Sequence, residues 1–409
     1  MKPFLDIVDP IHNFIRVYET ELKIIDSPIF QRLRRIRQLS GAHLTYPSAQ
    51  HSRFEHSLGV MHIASQAANA LKEKGLLNQD QTQNIRLAAL LHDVGHGPFS
   101  HLFEEVLQEK RKISHEEMGK NIILKSEIGD TLSKSGFDKK FITKLAFGDA
   151  KYRFVNEIVS GSLSADMMDY LQRDGYFTGA EHAKIDHQRI IQSLDVYKSR
   201  LALDRSALYS FESMVLSRYQ MFKAVYFHKT VRSAEVMMLE SIRLADDRLN
   251  FTSLDLDEYV KLTDEFVVSR ILSLPTDTDD LRRAKQFAED YQNRNLLKCV
   301  YEQITDKKFT KSQENKLKHD IAKKSKVSIN EIFVDTTSTS SLPLTPSKEK
   351  SKSIILITDD SIKSSIKEIP FSKIPVVSSI AGSMNIVRIY TPARYRKKVE
   401  IAAKSILGD

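Results

Sequence analysis

The stretch at residues 88–101, AALLHDVGHGPFSH, gathers side chains that can bind a metal ion or move a proton. His92 and Asp93 stand side by side after an apolar helical run. Gly95 and Gly97 then interrupt the helix, and His96 and His101 lie within the nine residues that follow His92. Neighbouring helix positions project about 100° apart, so His92 and Asp93 can both contact one ion lying against the helix end. An imidazole next to a carboxylate favours divalent Mn, Fe, Zn or Mg over metals that prefer thiolates. The stretch therefore predicts a divalent metal site.

The remaining ligands are expected from other helices. Seven of the 13 histidines fall between positions 51 and 115, namely His51, His56, His62, His92, His96, His101 and His115. His56 lies early on a predicted helix that can pack against the helix of His92, while His51 and His62 are interpreted as surface or packing residues. Asp166 leads a polar helix face, with Tyr170 and Asp174 at i+4 and i+8.

The set of His56, His92, Asp93 and Asp166 predicts a hydrolytic site. Two imidazoles and two carboxylates leave an octahedral ion two positions for water or a phosphate oxygen. Such an ion lowers the pKa of a bound water and polarises phosphorus. Hydrolysis of a phosphate ester is the reaction that this site suits.

The chain contains a second His-Asp pair, His319-Asp320, in a lysine-rich stretch with no other histidine nearby. We interpret this pair as part of a solvated helix face and not as a ligand set. The comparison indicates that the dipeptide alone carries no function.

The elements that must position these side chains are mostly helical. We predict a mainly α fold, with a helical catalytic core at residues 1–290 and a smaller C-terminal α+β lobe at 291–409 that contains a Ser/Thr/Pro-rich loop near 336–353. The predicted elements of the core are a strand-like or turn segment at residues 4–17, a helix from Ser27 to Gly41, helices at 52–75 and 84–94, two or three helices within 103–152, a helix after residue 154, a long helix at 209–244 and two more between 254 and 294. The predicted elements of the lobe are strands at 332–335, 354–358 and 384–392 and a closing helix at 397–407.

Composition limits the class of protein and its partners. The chain has 409 residues, of which 41% are hydrophobic and 28% charged, as in globular proteins, and its net charge of +8 favours an anionic, phosphorylated partner. The only cysteine, Cys299, excludes an intrachain disulfide and fits a reducing cytosol. Because no signal peptide or membrane-spanning run is apparent, we expect a soluble cytoplasmic protein.

Basic residues concentrate in two places. Four arginines lie between positions 32 and 37, on a helix face that predicts an anion-binding surface or a set of structural ion pairs. The lysines at residues 307–326 are interpreted as a solvated helix face, with a nucleic-acid surface as the less favoured alternative.

The ligand pattern resembles a known family. Residues 53–56 (RFEH), the pair His92-Asp93, and Asp166 resemble the H…HD…D pattern of the HD-domain phosphohydrolases, and more closely that of the HD-domain deoxynucleoside triphosphate triphosphohydrolases. The segments that carry the resemblance are DPIH at 9–12, FQRLRRIRQL at 30–39, SRFEHSLGV at 52–60, LLHDVGHGPFSH at 90–101, SHEEMG at 114–119, ADMMDYLQRD at 165–174 and YFHK at 226–229. The resemblance is to the core of the family's mammalian member, without its SAM domain.

The resemblance implies roles for individual residues. It implies metal ligation by His56, His92, Asp93 and Asp166, acid-base catalysis by His101 with Glu104 and His115 with Glu116, and phosphate contact by His96, Arg53 and Arg218. It further implies that Gln38 and Leu39 contact the sugar 3′-hydroxyl, that Asp174 contacts the sugar, and that Tyr170 and Tyr226 crowd its 2′ position. The implied substrate is a dNTP, and the implied products are deoxynucleoside and inorganic triphosphate.

Regulation and assembly are also implied by the resemblance. Asp26, Gln31 and Arg34 match positions at which family members bind a guanine nucleotide or dNTP effector between subunits, and the family forms dimers and tetramers. Three positions depart from the family pattern: Leu5 and Met167 replace lysines, and Phe227 replaces a glutamine beside the base.

Two other classes of function stay open on the sequence alone. An HD-type phosphodiesterase acting on cyclic nucleotides or oligonucleotides would use the same ion. A catalytically silent module would bind nucleotides or nucleic acid without turnover, and its binding would fall steeply with salt.

Overall fold

The computed structural model describes residues 4–148, 151, 153–305, 308–340, 353–360, 363–380 and 383–408. Helices dominate these residues, and most strands lie in the C-terminal part, so the predicted mainly α fold with a smaller α+β lobe is confirmed. Within these ranges, no helix combines the length and the apolar composition that crossing a membrane needs.

The helices of the described residues occur along the whole chain. The first ten are α1 (Glu19–Ile25), α2 (Pro28–Gln31), α3 (Arg53–Glu73), α4 (Gln79–Leu91), α5 (His101–Arg111), α6 (His115–Lys125), α7 (Glu127–Lys134), α8 (Lys139–Ala146), α9 (Arg153–Val159) and α10 (Ala165–Thr178). The others are α11 (His187–Gln192), α12 (Leu208–Met221), α13 (Lys229–Leu249), α14 (Leu256–Tyr259), α15 (Asp264–Leu272), α16 (Asp279–Gln292), α17 (Lys311–Ser325), α18 (Pro375–Ile380) and α19 (Arg396–Leu407).

The strands form three small sheets. They are β1 (Leu5–Asp9), β2 (Asn13–Val17), β3 (Leu194–Tyr197), β4 (Arg200–Asp204), β5 (Lys298–Thr305), β6 (Phe333–Ser340), β7 (Ser353–Asp360), β8 (Lys363–Pro370) and β9 (Ser383–Thr391). Strands β1 and β2 form an N-terminal hairpin, β3-β4-β7-β8 form a mixed sheet in which β4 and β7 are parallel, and β5-β9-β6 form an antiparallel sheet.

Helix α3 is the centre of the helical core. It begins where the sequence predicts, at the N-cap Ser52, whose hydroxyl accepts the N–H of Phe54 while Glu55 accepts the N–H of Ser52 at 2.9 Å. Most of its residues are buried, and it packs against α4 and α10. This packing brings the start of α3, the end of α4 and the start of α10 to one place.

The predicted helix from Ser27 to Gly41 is wrong in its second half. Ser27 and Pro28 begin α2 as predicted, but a 3-10 helix at Arg32–Arg35 follows, and Ile36 is extended with φ −125° and ψ 106°. The chain leaves the helix because residues 37 and 38 pair with the segment before α3, where the N–H of Gln38 donates to the carbonyl of His51 at 3.0 Å.

Arg32 is buried and does not belong to an anion-binding surface. Its guanidinium donates to the carbonyl oxygens of Val94 at 3.1 Å and His96 at 2.8 Å. Since those carbonyls belong to the loop after α4, this arginine fixes the backbone of the predicted metal-binding stretch.

The predicted long helix at 209–244 is interrupted. Helix α12 ends at Met221, a π-helical turn covers Phe222–Tyr226, and α13 begins at Lys229. Other helices are shorter and more numerous than predicted. The region for which two or three helices were predicted holds four, α5 to α8, and the region between residues 254 and 294 holds three, α14 to α16, where two were predicted. New N-caps, such as Ser126 for α7 and Asp138 for α8, start these extra helices.

The C-terminal strands and closing helix occur where predicted, but β3, β4, β5 and β8 were not predicted. Strand β4 pairs with β3 on one side and on the other with β7, which lies far along the chain, and the ladder between β4 and β7 joins residues on both sides of the predicted boundary at residue 290. Of the predicted loop near 336–353, residues 336–340 continue strand β6, and 341–352 lie outside the described residues.

Candidate active site

Four predicted ligands converge where α3, α4 and α10 meet. Donor atoms of His56, His92 and Asp93 all lie within 4.8 Å of one another. Asp166 Oδ1 lies 3.3 Å from His56 Nε2 and 3.9 Å from His92 Nε2. The arrangement offers two imidazole nitrogens and two carboxylates to one point.

The chemistry of these donors fits a divalent cation. His92 Nδ1 donates to the carbonyl of Ala89 at 2.8 Å, and its buried Nε2 has no hydrogen-bond partner among the described residues. His56 Nδ1 donates to Asp169 at 2.8 Å, which leaves Nε2 turned towards the ligand group. Both rings are thus held in the orientation that a metal-binding histidine needs, so these residues can hold a divalent ion.

Electrostatics point the same way. Burial lowers the pKa of His56, but the carboxylates of Asp166, Asp169 and Asp93 outweigh burial and raise that pKa to about 10. Burial would likewise raise the pKa of Asp93, yet His92, Arg53 and His96 hold it well below its usual range. The site therefore concentrates negative charge that a cation can neutralise.

Asp169 lies behind the ligands and was not predicted. Its carboxylate accepts hydrogen bonds from His56 Nδ1 at 2.8 Å and from His12 Nε2 at 2.7 Å. It also accepts two from Arg173, through Nε and Nη2, at 2.9 Å each. Burial would raise the pKa of Asp169, but Arg173 and the bonds from His12 and His56 hold it well below the usual range. Two features of the sequence pointed to Asp169: the histidine of the DPIH segment, and the i, i+4 spacing of Asp169 and Arg173. Neither feature shows that Asp169 bonds to His56.

Three histidines and one glutamate form a second cluster beside the ligands. Glu104 accepts His115 Nδ1 at 2.7 Å and His101 Nδ1 at 3.4 Å, and the rings of His96 and His115 stack at 3.9 Å. Burial would raise the pKa of Glu104, but the imidazoles of His101 and His115 hold that pKa far below its usual range. Burial, Arg53 and His115 lower the pKa of His96. The cluster thus contains an ionised carboxylate, a neutral His96 and two further imidazoles that contact the same carboxylate.

Gly95 allows this cluster to form. A Cβ at Gly95 would lie 2.1 Å from the carbonyl oxygen of His115 and 2.3 Å from the N of Gly119. Because α6 begins at His115, only glycine permits the loop after α4 to lie directly against that helix.

Glu116 is half-buried in the first turn of α6, and His115 pairs with Glu104.

A pocket of about 340 Å³ collects the residues that the resemblance assigned to the substrate. Its lining includes Gln38, Leu39, Arg53, His101, Tyr170, Asp174, Arg218, Tyr226 and Phe227. Arg53 also contacts Asp93 through Nη1 and donates from Nε to Ser100 at 2.7 Å, so the pocket adjoins the metal ligands. The helix break at residues 222–226 lies on its wall.

Asp174 organises one side of the pocket. It accepts the hydroxyl of Tyr226 at 2.6 Å and His51 Nε2 at 2.8 Å, and the His51 ring stacks on Phe177 at 4.7 Å. The interpretation of His51 as a surface or packing residue therefore missed its hydrogen bond to a residue that lines the pocket. The pairing joins residues 123 positions apart, and no local spacing could show it.

Several polar atoms of the pocket have no hydrogen-bond partner within the protein as described. They are Gln38 Oε1, the Tyr170 hydroxyl and Arg218 Nε, all buried. Burial lowers the pKa of Arg218 to about 10, and its guanidinium faces the rings of Tyr170 and Phe222 at 5.5 and 5.0 Å. Buried groups of this kind normally find partners, so a polar, anionic ligand suits the pocket.

The predicted effector residues lie elsewhere, on the surface around α2. Asp26 and Arg34 are exposed; Gln31 donates to the carbonyl of Ile25 at 2.8 Å and accepts Arg34 Nε at 2.8 Å. The Arg34 guanidinium also lies 3.5 Å over the Phe54 ring. Of the departures, Leu5 is in the hairpin strand β1, Met167 is buried, and Phe227 lines the pocket.

Comparisons with known proteins agree with this geometry. The HD domain family model matches residues 53–172, and the model of the HD associated region matches residues 185–408. An uncharacterized protein of Bacillus subtilis is 35% identical over 281 residues, which are 64% of each chain. A deoxynucleoside triphosphate triphosphohydrolase SAMHD1 homolog of Dictyostelium discoideum is 31% identical over 334 residues, or 77% of this chain and 63% of that protein. The chain thus spans just under two thirds of the length of these relatives.

A solved structure shares the whole fold. The crystal structure of a hypothetical protein from Aquifex aeolicus superposes with a TM-score of 0.78 at 29% identity, covering 97% of this chain and 99% of that one.

Proposed function

The chain belongs to the HD-domain phosphohydrolase family, and from that membership we propose that it hydrolyses deoxynucleoside triphosphates to deoxynucleoside and inorganic triphosphate. The observation that carries the proposal is the pocket of about 340 Å³, in which the expected sugar and phosphate residues line one cavity that adjoins the metal ligands through Arg53. The activity in the name of the Dictyostelium relative supports the same substrate class.

The proposed reaction uses the metal-ligand residues together with the cluster of histidines around Glu104. His56, His92, Asp93 and Asp166 would hold the ion. A divalent ion supplies polarisation of a phosphoryl oxygen and lowers the pKa of a water molecule. Arg218 and Arg53 bind phosphate oxygens, and His96 contacts the phosphate as a neutral donor.

Water adds at the α-phosphorus and the bond to the 5′-oxygen breaks, so the leaving deoxynucleoside needs a proton. His101 or His115 donates it, with Glu104 orienting both rings and Glu116 supporting them. Gln38, Leu39 and Asp174 hold the sugar, while Tyr170 and Tyr226 occupy the space that a 2′-hydroxyl would need.

We extend the proposal to regulation. Asp26, Gln31 and Arg34 would bind a guanine nucleotide or dNTP effector between subunits of a homo-oligomer. The hydrogen bond between Gln31 and Arg34, on the same surface as the exposed Asp26, supports a binding surface separate from the pocket.

Product analysis tests the proposed function. The full chain is incubated with each dNTP and rNTP, alone and in pairs, with Mn²⁺ or Mg²⁺, and the products are separated by chromatography. We expect deoxynucleoside and triphosphate from dNTPs, little turnover of rNTPs, and faster turnover in those pairs that include an effector. Mono- or diphosphate products would contradict the proposal, hydrolysis of diesters with dNTPs untouched would support a phosphodiesterase, and binding without turnover would support a silent module.

Glu104→Gln is expected to lower kcat for dNTP hydrolysis by about 100-fold, the lower end of the contribution of general acid-base catalysis. The substitution keeps the shape of the side chain but removes the charge that orients His101 and His115. Steady-state rates with dGTP measure the effect. The matched control is Glu105→Gln, because the neighbouring Glu105 pairs with Arg243 at 3.0 Å and does not line the pocket. Equal rates for the two variants would exclude the proposed role of Glu104.

A further inference from the structure

The tip of the N-terminal hairpin is fixed against the back of the metal ligands. Asp9 Oδ1 accepts the N–H groups of Ile11 and His12 at 2.9 Å each, which shapes the turn between β1 and β2. Arg173 of α10 donates to Asp9 Oδ2 at 2.8 Å. The turn is therefore tied to the helix that carries Asp166.

The His12 side chain points into the core from this turn. It is 2% exposed, and its Nε2 lies 2.7 Å from Asp169 Oδ1. Its ring stacks on the ring of His62 at 5.0 Å and meets the edge of the ring of His187 at 6.3 Å. These contacts pack around the ring while its Nε2 bonds to Asp169.

Asp169 passes this constraint to a metal ligand. Its Oδ1 is shared by His12 and Arg173 Nη2, and its Oδ2 by His56 Nδ1 and Arg173 Nε. Both oxygens are thus occupied, and the carboxylate plane is set by three partners. Since His56 Nδ1 donates to Oδ2, the position of Asp169 decides where His56 Nε2 points.

We propose that His12 is a positioning residue of the metal site, which fixes Asp169 and through it the His56 ring. The N-terminal hairpin is then part of the metal site although it contributes no ligand. Partners of ligating histidines contribute about 10- to 100-fold to metal affinity. His12 contacts Asp169, which is the partner of the ligating histidine, and does not contact that histidine itself, so we expect it to contribute roughly 10-fold to metal affinity.

The test is calorimetric titration of the metal-free full chain with Mn²⁺ alone. His12→Ala should bind Mn²⁺ about 10-fold more weakly than the wild type. His12→Gln should restore the affinity, because its amide nitrogen reaches about as far as the imidazole Nε2, whereas the shorter His12→Asn should not. His187→Ala is the matched control, since His187 touches the same ring without contacting Asp169.

Wild-type Mn²⁺ affinity in His12→Ala, or equal affinity in His12→Gln and His12→Asn, would overturn the proposal. Weakening in His187→Ala as large as in His12→Ala would also overturn it, because loss of packing would then explain both. If His12→Ala does not fold, the comparison of the Gln and Asn variants alone decides. No nucleotide is present in the titration, so its outcome does not depend on whether dNTPs are the substrate.

Discussion

Asp93→Ala is expected to abolish metal binding and hydrolysis together. Asp93 lies beside His56, His92 and Arg53, and its carboxylate has a pKa that His92, Arg53 and His96 hold well below the usual range. Removing the partner of a ligand reduces affinity by up to about 100-fold, so removal of a ligand should exceed that. Elemental analysis of the purified variant measures the metal, and dGTP turnover measures the activity.

The chain supplies its own control for this variant. Asp320→Ala alters the other His-Asp pair, which is exposed on α17, where His319 Nδ1 bonds only to the carbonyl of Asn315 among the hydrogen bonds described. Metal content and turnover should match the wild type. An Asp93→Ala protein that keeps a full complement of metal would exclude Asp93 as a ligand.

Gly59→Ala is expected to destabilise the fold, although alanine is the better helix former. In a helix interior, replacing glycine by alanine normally stabilises by about 1 kcal/mol. A Cβ at Gly59 would lie 1.8 Å from Asp169 Oδ1 and 2.5 Å from Arg173 Nη2, which are buried and paired. Disrupting a buried ion pair costs about 3–5 kcal/mol, so the steric conflict decides the sign. We expect a net loss of about 2–4 kcal/mol in the free energy of unfolding.

Urea denaturation followed by circular dichroism measures this loss. Ala70→Gly, further along α3, is the reciprocal control and should lower stability by about 1 kcal/mol from helix propensity alone. A Gly59→Ala protein as stable as the wild type would show that Asp169 and Arg173 can move aside, and that the close approach of α3 and α10 is not needed.

The metal-ligand residues were chosen from local patterns. The predicted helix start at residue 52, the apolar run before His92 and the polar face led by Asp166 each place a side chain near a helix end. Those patterns depend on 3.6-residue periodicity and capping, which a short stretch of sequence specifies. Recognition of the family pattern then supplied the residues of the pocket, which sequence spacing alone could not have joined.

Helix boundaries were less accurate where tertiary contacts compete with propensity. The helix predicted to reach Gly41 stops at Arg35, and Arg32 turns inwards to the carbonyls of Val94 and His96. The break in the long helix at residues 222–226 forms part of the wall of the pocket. These five residues include no proline or glycine, so the sequence did not indicate the break.

The sequence by itself determined the mainly helical class, the metal-ligand candidates and the distinction between His92-Asp93 and His319-Asp320, because these depend on periodicity and neighbours along the chain. Only the tertiary structure decided which groups orient the side chains of the site: Asp169 with His12 and Arg173 behind the metal-ligand candidate His56, Glu104 between the acid-base candidates His101 and His115, and His51 on the pocket residue Asp174. Each pairing except Asp169–Arg173 in α10 and His101–Glu104 in α5 joins different parts of the fold, and a hydrogen bond between them forms only because packing brings the two side chains within about 3 Å. Spacing along one helix cannot specify that distance.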